Sequence, residues 1–103
     1  MFKLLWRDKI IAKQDKNENP FTSKMVAEPA VPQHYLPFGL FGFDKREVPL
    51  SEFVIWAKQR CFPKERVDSD KLLEELGLDR YDSWEIVKIT KAKMGNDDYT
   101  IDF

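Results

Sequence analysis

Arg60-Cys61-Phe62-Pro63, then Val67-Asp68-Ser69-Asp70-Lys71-Leu72-Leu73-Glu74-Glu75-Leu76-Gly77-Leu78, then Tyr81-Asp82-Ser83-Trp84-Glu85-Ile86-Val87, form the best-specified part of the chain. They read as the end of one helix, a proline-broken loop and two short helices with marked ends. Asp68 is a helix N-cap residue, because a short side-chain acceptor satisfies first-turn N–H groups. Val67 and Leu72 have the spacing of a hydrophobic staple. Leu72, Leu73 and Leu76 fall on one face at helical spacing. Gly77 can take the left-handed conformation that ends a helix, with Leu78 reaching back to Leu73 as in a Schellman motif. The spacing predicts a helix over Ser69–Leu76.

The next helix starts at Asp82-Ser83-Trp84-Glu85, which has the aspartate and glutamate of a capping box, with Tyr81 and Ile86 as a second staple. Trp84, Val87 and Ile89 are its expected apolar side, and Gly95 its expected stop. Upstream, Pro49-Leu50-Ser51-Glu52 opens a helix, since proline is tolerated around a first turn. Leu50, Phe53, Val54, Ala57 and Cys61 then make one stripe. Pro63 is its expected end, because the residue before a proline is pushed out of the helical region. Pieces of about ten residues are marginal alone, so all three must share one core.

Toward the N-terminus, Phe2–Trp6 and Ile10–Ala12 flank a polar turn at Arg7-Asp8-Lys9, the pattern of a β-hairpin. Phe21–Glu28 is a candidate third strand. At the other end, Asp98–Phe103 alternates polar and apolar residues and reads as a strand. Placed beside the hairpin, it completes a small, mostly antiparallel sheet covered by about three short helices, an α+β fold. A chain of 103 residues makes one domain. Its parts are N-terminal strands over 1–28, a proline- and aromatic-rich irregular segment over 29–48, a helical unit over 49–95 and a C-terminal strand over 98–103.

The segment 29–48 is unusual. Pro29, Pro32 and Pro37 forbid regular helix and Gly39 and Gly42 loosen the chain, yet Tyr35, Leu36, Phe38, Leu40, Phe41 and Phe43 make it strongly apolar. Base rates favour burial against its own domain. The alternative is a partner surface, since exposed apolar patches mark interaction sites.

Apolar content of 43% excludes wholesale disorder. No apolar run approaches a membrane span, and Phe2–Trp6 is broken by Lys3 and followed by Arg7 and Asp8, unlike a signal peptide. A single cysteine excludes an internal disulfide and points to a reducing compartment, so the expected location is the cytoplasm. Net charge is −1, unevenly spread: residues 67–103 carry ten acidic and five basic side chains, and the rest is mildly basic. That balance argues against a dedicated DNA binder.

Chemistry-bearing residues are sparse. His34 is the one histidine and lies 27 positions from Cys61, the one cysteine, so no metal set is expected. A Cys61–His34 nucleophile pair needs the fold to join them. Cys61 on an apolar stripe is instead the pattern of a buried thiol. Phe38-Gly39-Leu40-Phe41-Gly42 lacks the Lys-Ser/Thr of a phosphate loop and the three-glycine spacing of a dinucleotide fingerprint. Asp79, Asp82 and Glu85 are accounted for by capping and the helix dipole. No catalytic residue, cofactor or metal is expected. Lys58, Arg60, Lys64 and Arg66 gather where the first helix ends, either as dipole partners or as phosphate contacts.

Residues 50–103, with Arg60-Cys61-Phe62-Pro63, Leu72-Leu73-Glu74-Glu75-Leu76-Gly77-Leu78-Asp79 and Tyr81-Asp82-Ser83-Trp84-Glu85-Ile86-Val87-Lys88, resemble small mobile-element and phage proteins of Gram-positive bacteria, a group that carries little functional information. The order of a short N-terminal sheet, a helix ending near a proline, a further helix and an aspartate-led segment is also similar to the N-terminal subdomain of HipA-type toxin kinases and to HipS. That resemblance implies a non-catalytic domain that docks on a kinase and restrains it. The sequence departs from it at Cys61-Phe62-Pro63-Lys64, where a Leu-Pro-Asp-like stretch is usual, and at Tyr35–Phe43, which has no counterpart.

The expected function is therefore a non-enzymatic protein-binding regulator, antitoxin-like, with another protein as partner and no membrane partner. Its expected contact surface joins Tyr35, Phe38, Leu40 and Phe41 to Lys58, Arg60, Lys64 and Arg66, because aromatics and arginines anchor interfaces. An inhibitor of a host defence, of the anti-CRISPR type, and a nucleic-acid-binding regulator are the alternatives.

Overall fold

Arg7 and Asp8 both have positive φ, 49° and 68°. A two-residue turn of that kind matches the right-handed twist of the strands on either side. It joins β1, Lys3–Trp6, to β2, Lys9–Gln14, as the hairpin pattern predicts. The computed structural model describes residues 2–16, 19, 21–95 and 97–103. The remaining elements are β3, Lys24–Ala27; α1, Phe38–Phe41; β4, Glu47–Pro49; α2, Leu50–Lys58; α3, Ser69–Glu75; α4, Ser83–Thr90; and β5, Tyr99–Asp102. A single 3-10 turn, Gln33–Tyr35, precedes α1.

The strands form one antiparallel sheet in the order β4-β3-β2-β1-β5. With the helices packed on it, the chain is a small α+β fold, and the C-terminal strand lies beside the N-terminal hairpin as expected. Leu4 pairs with Ala12 but Leu5 pairs with Ile10, so Ile11 is an extra residue, a β-bulge. The bulge breaks strict alternation, and Ile11 and Ala12 are both fully buried. β4, with Pro49 at its end, was not legible as a strand. It makes a short edge, which discourages pairing with another sheet.

Leu4, Ala12, Met25, Ala27, Val48 and Ile101 form the sheet side of the core, and Leu50, Phe53, Ala57 and Val87 the helix side. Each such buried Leu, Phe or Val contributes roughly 1.5–3 kcal/mol. Phe2 stands at the centre of an aromatic group, with ring centroids 6.0 Å from Phe53, 5.8 Å from Trp84 and 5.7 Å from Phe103. Among the described residues no helix is long and apolar enough to cross a membrane.

Several local expectations are corrected. α2 stops at Lys58, short of Pro63, because Arg60 must turn inward. At the start of α3, Asp68 has φ −98° and ψ 17°, and its carboxylate pairs with Arg66 at 2.6 Å without capping the helix. An N-cap side chain reaches the first-turn N–H groups from an extended backbone, and this one is not extended. Val67 is fully exposed, so no staple forms with Leu72. The far end of α3 follows the expectation: Gly77 has φ 74°, Leu78 N–H donates to Leu73 O at 2.9 Å and Gly77 N–H to Glu74 O at 3.0 Å. Asp82, on extended backbone, does cap α4, accepting from Trp84 and Glu85 N–H. Glu85 pairs forward with Lys88 at 3.1 Å. α4 ends well before Gly95, at the left-handed pair Lys91 and Ala92, φ 58° and 55°. Ile89 faces solvent, and Ile86 and Val87 form the buried side.

Candidate protein-contact surface

Segment 29–48 is more ordered than its prolines imply. Arg46 holds it closed: its guanidinium donates to Glu28 O at 2.8 Å and to Gln33 Oε1 at 3.2 Å. The Gln33 amide in turn donates to Lys45 O at 2.8 Å. Inside this loop Pro32 and Pro37 stand immediately before the 3-10 turn and α1, where a missing N–H costs nothing. Gly42, at φ 68°, ends α1 after one turn. One helical turn therefore exists where prolines seemed to forbid it, because each proline lies outside the turn it precedes.

That single turn sorts the apolar residues. Leu36, Leu40 and Phe41 are buried, and Phe38 and Phe43 are 62% and 85% exposed. The two exposed rings meet edge to face, centroids 4.7 Å apart at 63°. Such a pair is worth about 0.5–1.5 kcal/mol beyond its buried area. Beside them lies an open depression of about 450 Å³ lined by Gln33, His34, Leu36, Phe38, Gly42 and Phe43. Across α1 a smaller one, about 220 Å³, is lined by Gly39, Leu40, Glu52, Ile55, Trp56 and Gln59. Ile55 is also exposed there.

Tyr35 is half-buried and serves as an anchor. Its ring sits 5.0 Å from Trp6, and its carbonyl accepts a hydrogen bond from Tyr99 Oη at 2.9 Å. Leu40 and Phe41 belong to the core, so the expected surface is corrected there: a buried side chain offers a partner no area. Phe43 and His34, exposed beside Phe38, and Ile55, exposed across α1, were not in the expected set. The signal for Phe43 was its place between Gly42 and Asp44, a turn pair that carries the chain away from the core.

The expected basic group is corrected too. Arg60 is 7% exposed. Its Nε donates to Ala92 O at 2.8 Å, its two terminal nitrogens bind Asp97 at 2.9 and 2.6 Å, and its guanidinium lies 4.7 Å from the Trp56 ring centroid. The Arg60 guanidinium holds the Asp97 carboxyl below its ordinary value. Arg66 is committed to Asp68. Lys58 and Lys64 are the exposed members of the four with no ion-pair partner among the described residues.

Comparison with protein-family models, with curated proteins and with solved structures finds no match to this chain.

His34 and Cys61 are not brought to one depression: Cys61 borders a different groove, about 350 Å³, with Phe62, Pro63, Arg66 and Met94. Cys61 Sγ lies 3.0 Å from Tyr81 Oη, which donates to Phe62 O at 2.7 Å. Burial, then the Cys61 thiol, push the Tyr81 phenol up to about 12. Among the described residues no group of three His, Cys, Asp or Glu side chains is placed to hold a metal ion.

Proposed function

We propose that this protein is a small protein-binding regulator that docks on a partner protein through Phe38 and Phe43, with His34 and Ile55 at the margins. One observation carries the reading. Two adjacent phenyl rings stand mostly exposed on a loop whose ends the Arg46 guanidinium ties together. Leaving them in water forgoes roughly 1.5–3 kcal/mol each, which burial in a partner would recover. Aromatic anchors held in place lose little conformational entropy on binding. An antitoxin-like role, restraining a kinase-type partner, is the specific form we favour, on the resemblance of the order of elements, from the short N-terminal sheet to the aspartate-led segment, to HipS. The nucleic-acid alternative loses support, because Arg60 is buried and bound to Asp97.

The test is a Phe38→Ser/Phe43→Ser double variant. Partners captured from the native host are identified, and the principal one is then titrated as a purified protein. The double variant should keep its circular dichroism and bind at least about tenfold more weakly, a loss of about 1.4 kcal/mol. Phe41→Ala should instead destabilise the fold by about 3–5 kcal/mol, because it opens a core cavity. Equal affinity of the double variant and the wild type would remove the reading. Salt-sensitive binding to duplex DNA would replace it with the nucleic-acid one.

A further inference from the structure

β5 forms the edge of the sheet, and Thr100 and Asp102 pair with Leu5 and Lys3 of β1. Tyr99 and Ile101 direct their backbone groups the other way, toward the open side. Among the described residues no strand lies there, yet the groups are occupied. Ile101 N–H donates to Lys91 O at 2.8 Å. Tyr99 N–H donates to Asp97 Oδ1 at 3.1 Å, and Tyr99 O accepts from an Arg60 terminal nitrogen at 3.1 Å. The turn that supplies Lys91 O is itself strained, since Lys91 and Ala92 carry side chains at φ 58° and 55°. The Arg60 bond to Ala92 O ties that turn down. One part-buried ion pair and one left-handed turn thus cover an edge that would otherwise be a template for another strand.

We propose that the Arg60–Asp97 pair is a guard on the β5 edge, and that without it two copies of this chain join through β5. The edge is self-complementary. About a two-fold axis at Thr100, Tyr99 of one copy faces Ile101 of the other, and the two exchange both N–H···O bonds. The axis repeats the exchange on its other side. These bonds use three backbone groups that Arg60, Asp97 and Lys91 now occupy. The same axis sets Asp98 of one copy opposite Asp102 of the other, a like-charge pairing that Arg7, bound to Asp98 at 2.9 Å, and Lys3, opposite Asp102 on β1, reduce.

The test uses the full chain with Cys61→Ser, with and without Asp97→Ala, and reads three quantities. Hydrogen exchange at the Ile101 amide should rise roughly tenfold or more in the monomer when Asp97 is replaced. Sedimentation velocity should show a concentration-dependent dimer in that variant and a monomer with Asp97 present. Thr100→Cys should form an intermolecular disulfide under mild oxidation only when Asp97 is replaced, since the two positions would face each other at a bridgeable distance. Arg60→Met, which removes the other half of the pair, should behave like Asp97→Ala. A monomer with unchanged Ile101 exchange overturns the proposal. So does a dimer that the Thr100→Cys link does not capture, or loss of the whole fold in both variants, which would make the pair a general structural requirement.

Discussion

Tyr99 Oη donates to the carbonyl of Tyr35 at 2.9 Å and so fastens the aromatic loop to the last strand of the sheet, 64 residues later in the chain. Tyr99 also packs edge-on against Trp56 of α2, centroids 6.3 Å apart. One phenol therefore sets where the loop that presents Phe38 begins. Tyr99→Phe removes the donor while keeping the ring. Urea unfolding should show a loss of about 1 kcal/mol, the usual net worth of one such bond. If the half-buried carbonyl of Tyr35 finds water instead, the loss will fall at the low end of that range. No loss at all would mean that the bond does not position the loop.

Two aspartates that look alike in sequence should behave differently. Asp82→Ala removes a cap that accepts from two backbone N–H groups, and should cost about 1 kcal/mol. Asp68→Ala removes only a surface pair with Arg66, and should change stability by about 0.5 kcal/mol or less. Parallel chemical denaturation of the two variants checks the contrast. Equal losses would show that Asp68 caps α3 after all.

The hairpin turn carries strain that a glycine would relieve. Asp8 sits at φ 68°, where a side chain is tolerated but glycine is easier. Asp8→Gly should raise the midpoint of thermal unfolding, with a gain of about 0.5–1 kcal/mol. A lower midpoint would mean that the Asp8 side chain makes a contact worth more than the strain.

The pH dependence follows from three groups, two phenols raised and one carboxyl lowered. Tyr81 is raised from 10.0 to about 12, chiefly by burial and then by Cys61. Its contribution to stability is fully present below pH 10 and is lost as pH rises through about 12. Tyr99 is raised too, by burial and then by Asp97, so both phenols act in the alkaline range. Asp97 is lowered from 3.8, first by its hydrogen bond from Arg60. Its contribution is present above that ordinary value and is lost as pH falls through the folded one. Tyr81→Phe should flatten the alkaline limb of a stability profile, and Asp97→Asn the acid limb. Unchanged limbs in the variants would show that other groups control them.

Sequence by itself determined the hairpin, the C-terminal strand, the apolar stripe of α2, the Gly77 end of α3 and the Asp82 start of α4. In each, the decisive contacts lie within a few residues, so side-chain type and spacing carry the information. Tertiary structure alone decided which of six neighbouring apolar residues face outward, because one turn after Pro37, closed by Arg46, turns Leu40 and Phe41 inward and leaves Phe38 and Phe43 in water. It alone decided that Arg60, a surface residue by type, is buried: its partners Ala92, Asp97 and Tyr99 lie more than thirty residues away. It alone fixed the left-handed end of α4 at Lys91 and Ala92, since bonds from Ile101 and Arg60 hold a conformation that neither residue prefers. The physical reason is common to all three. Local preferences of about 1 kcal/mol yield wherever distant backbone groups need a partner on burial.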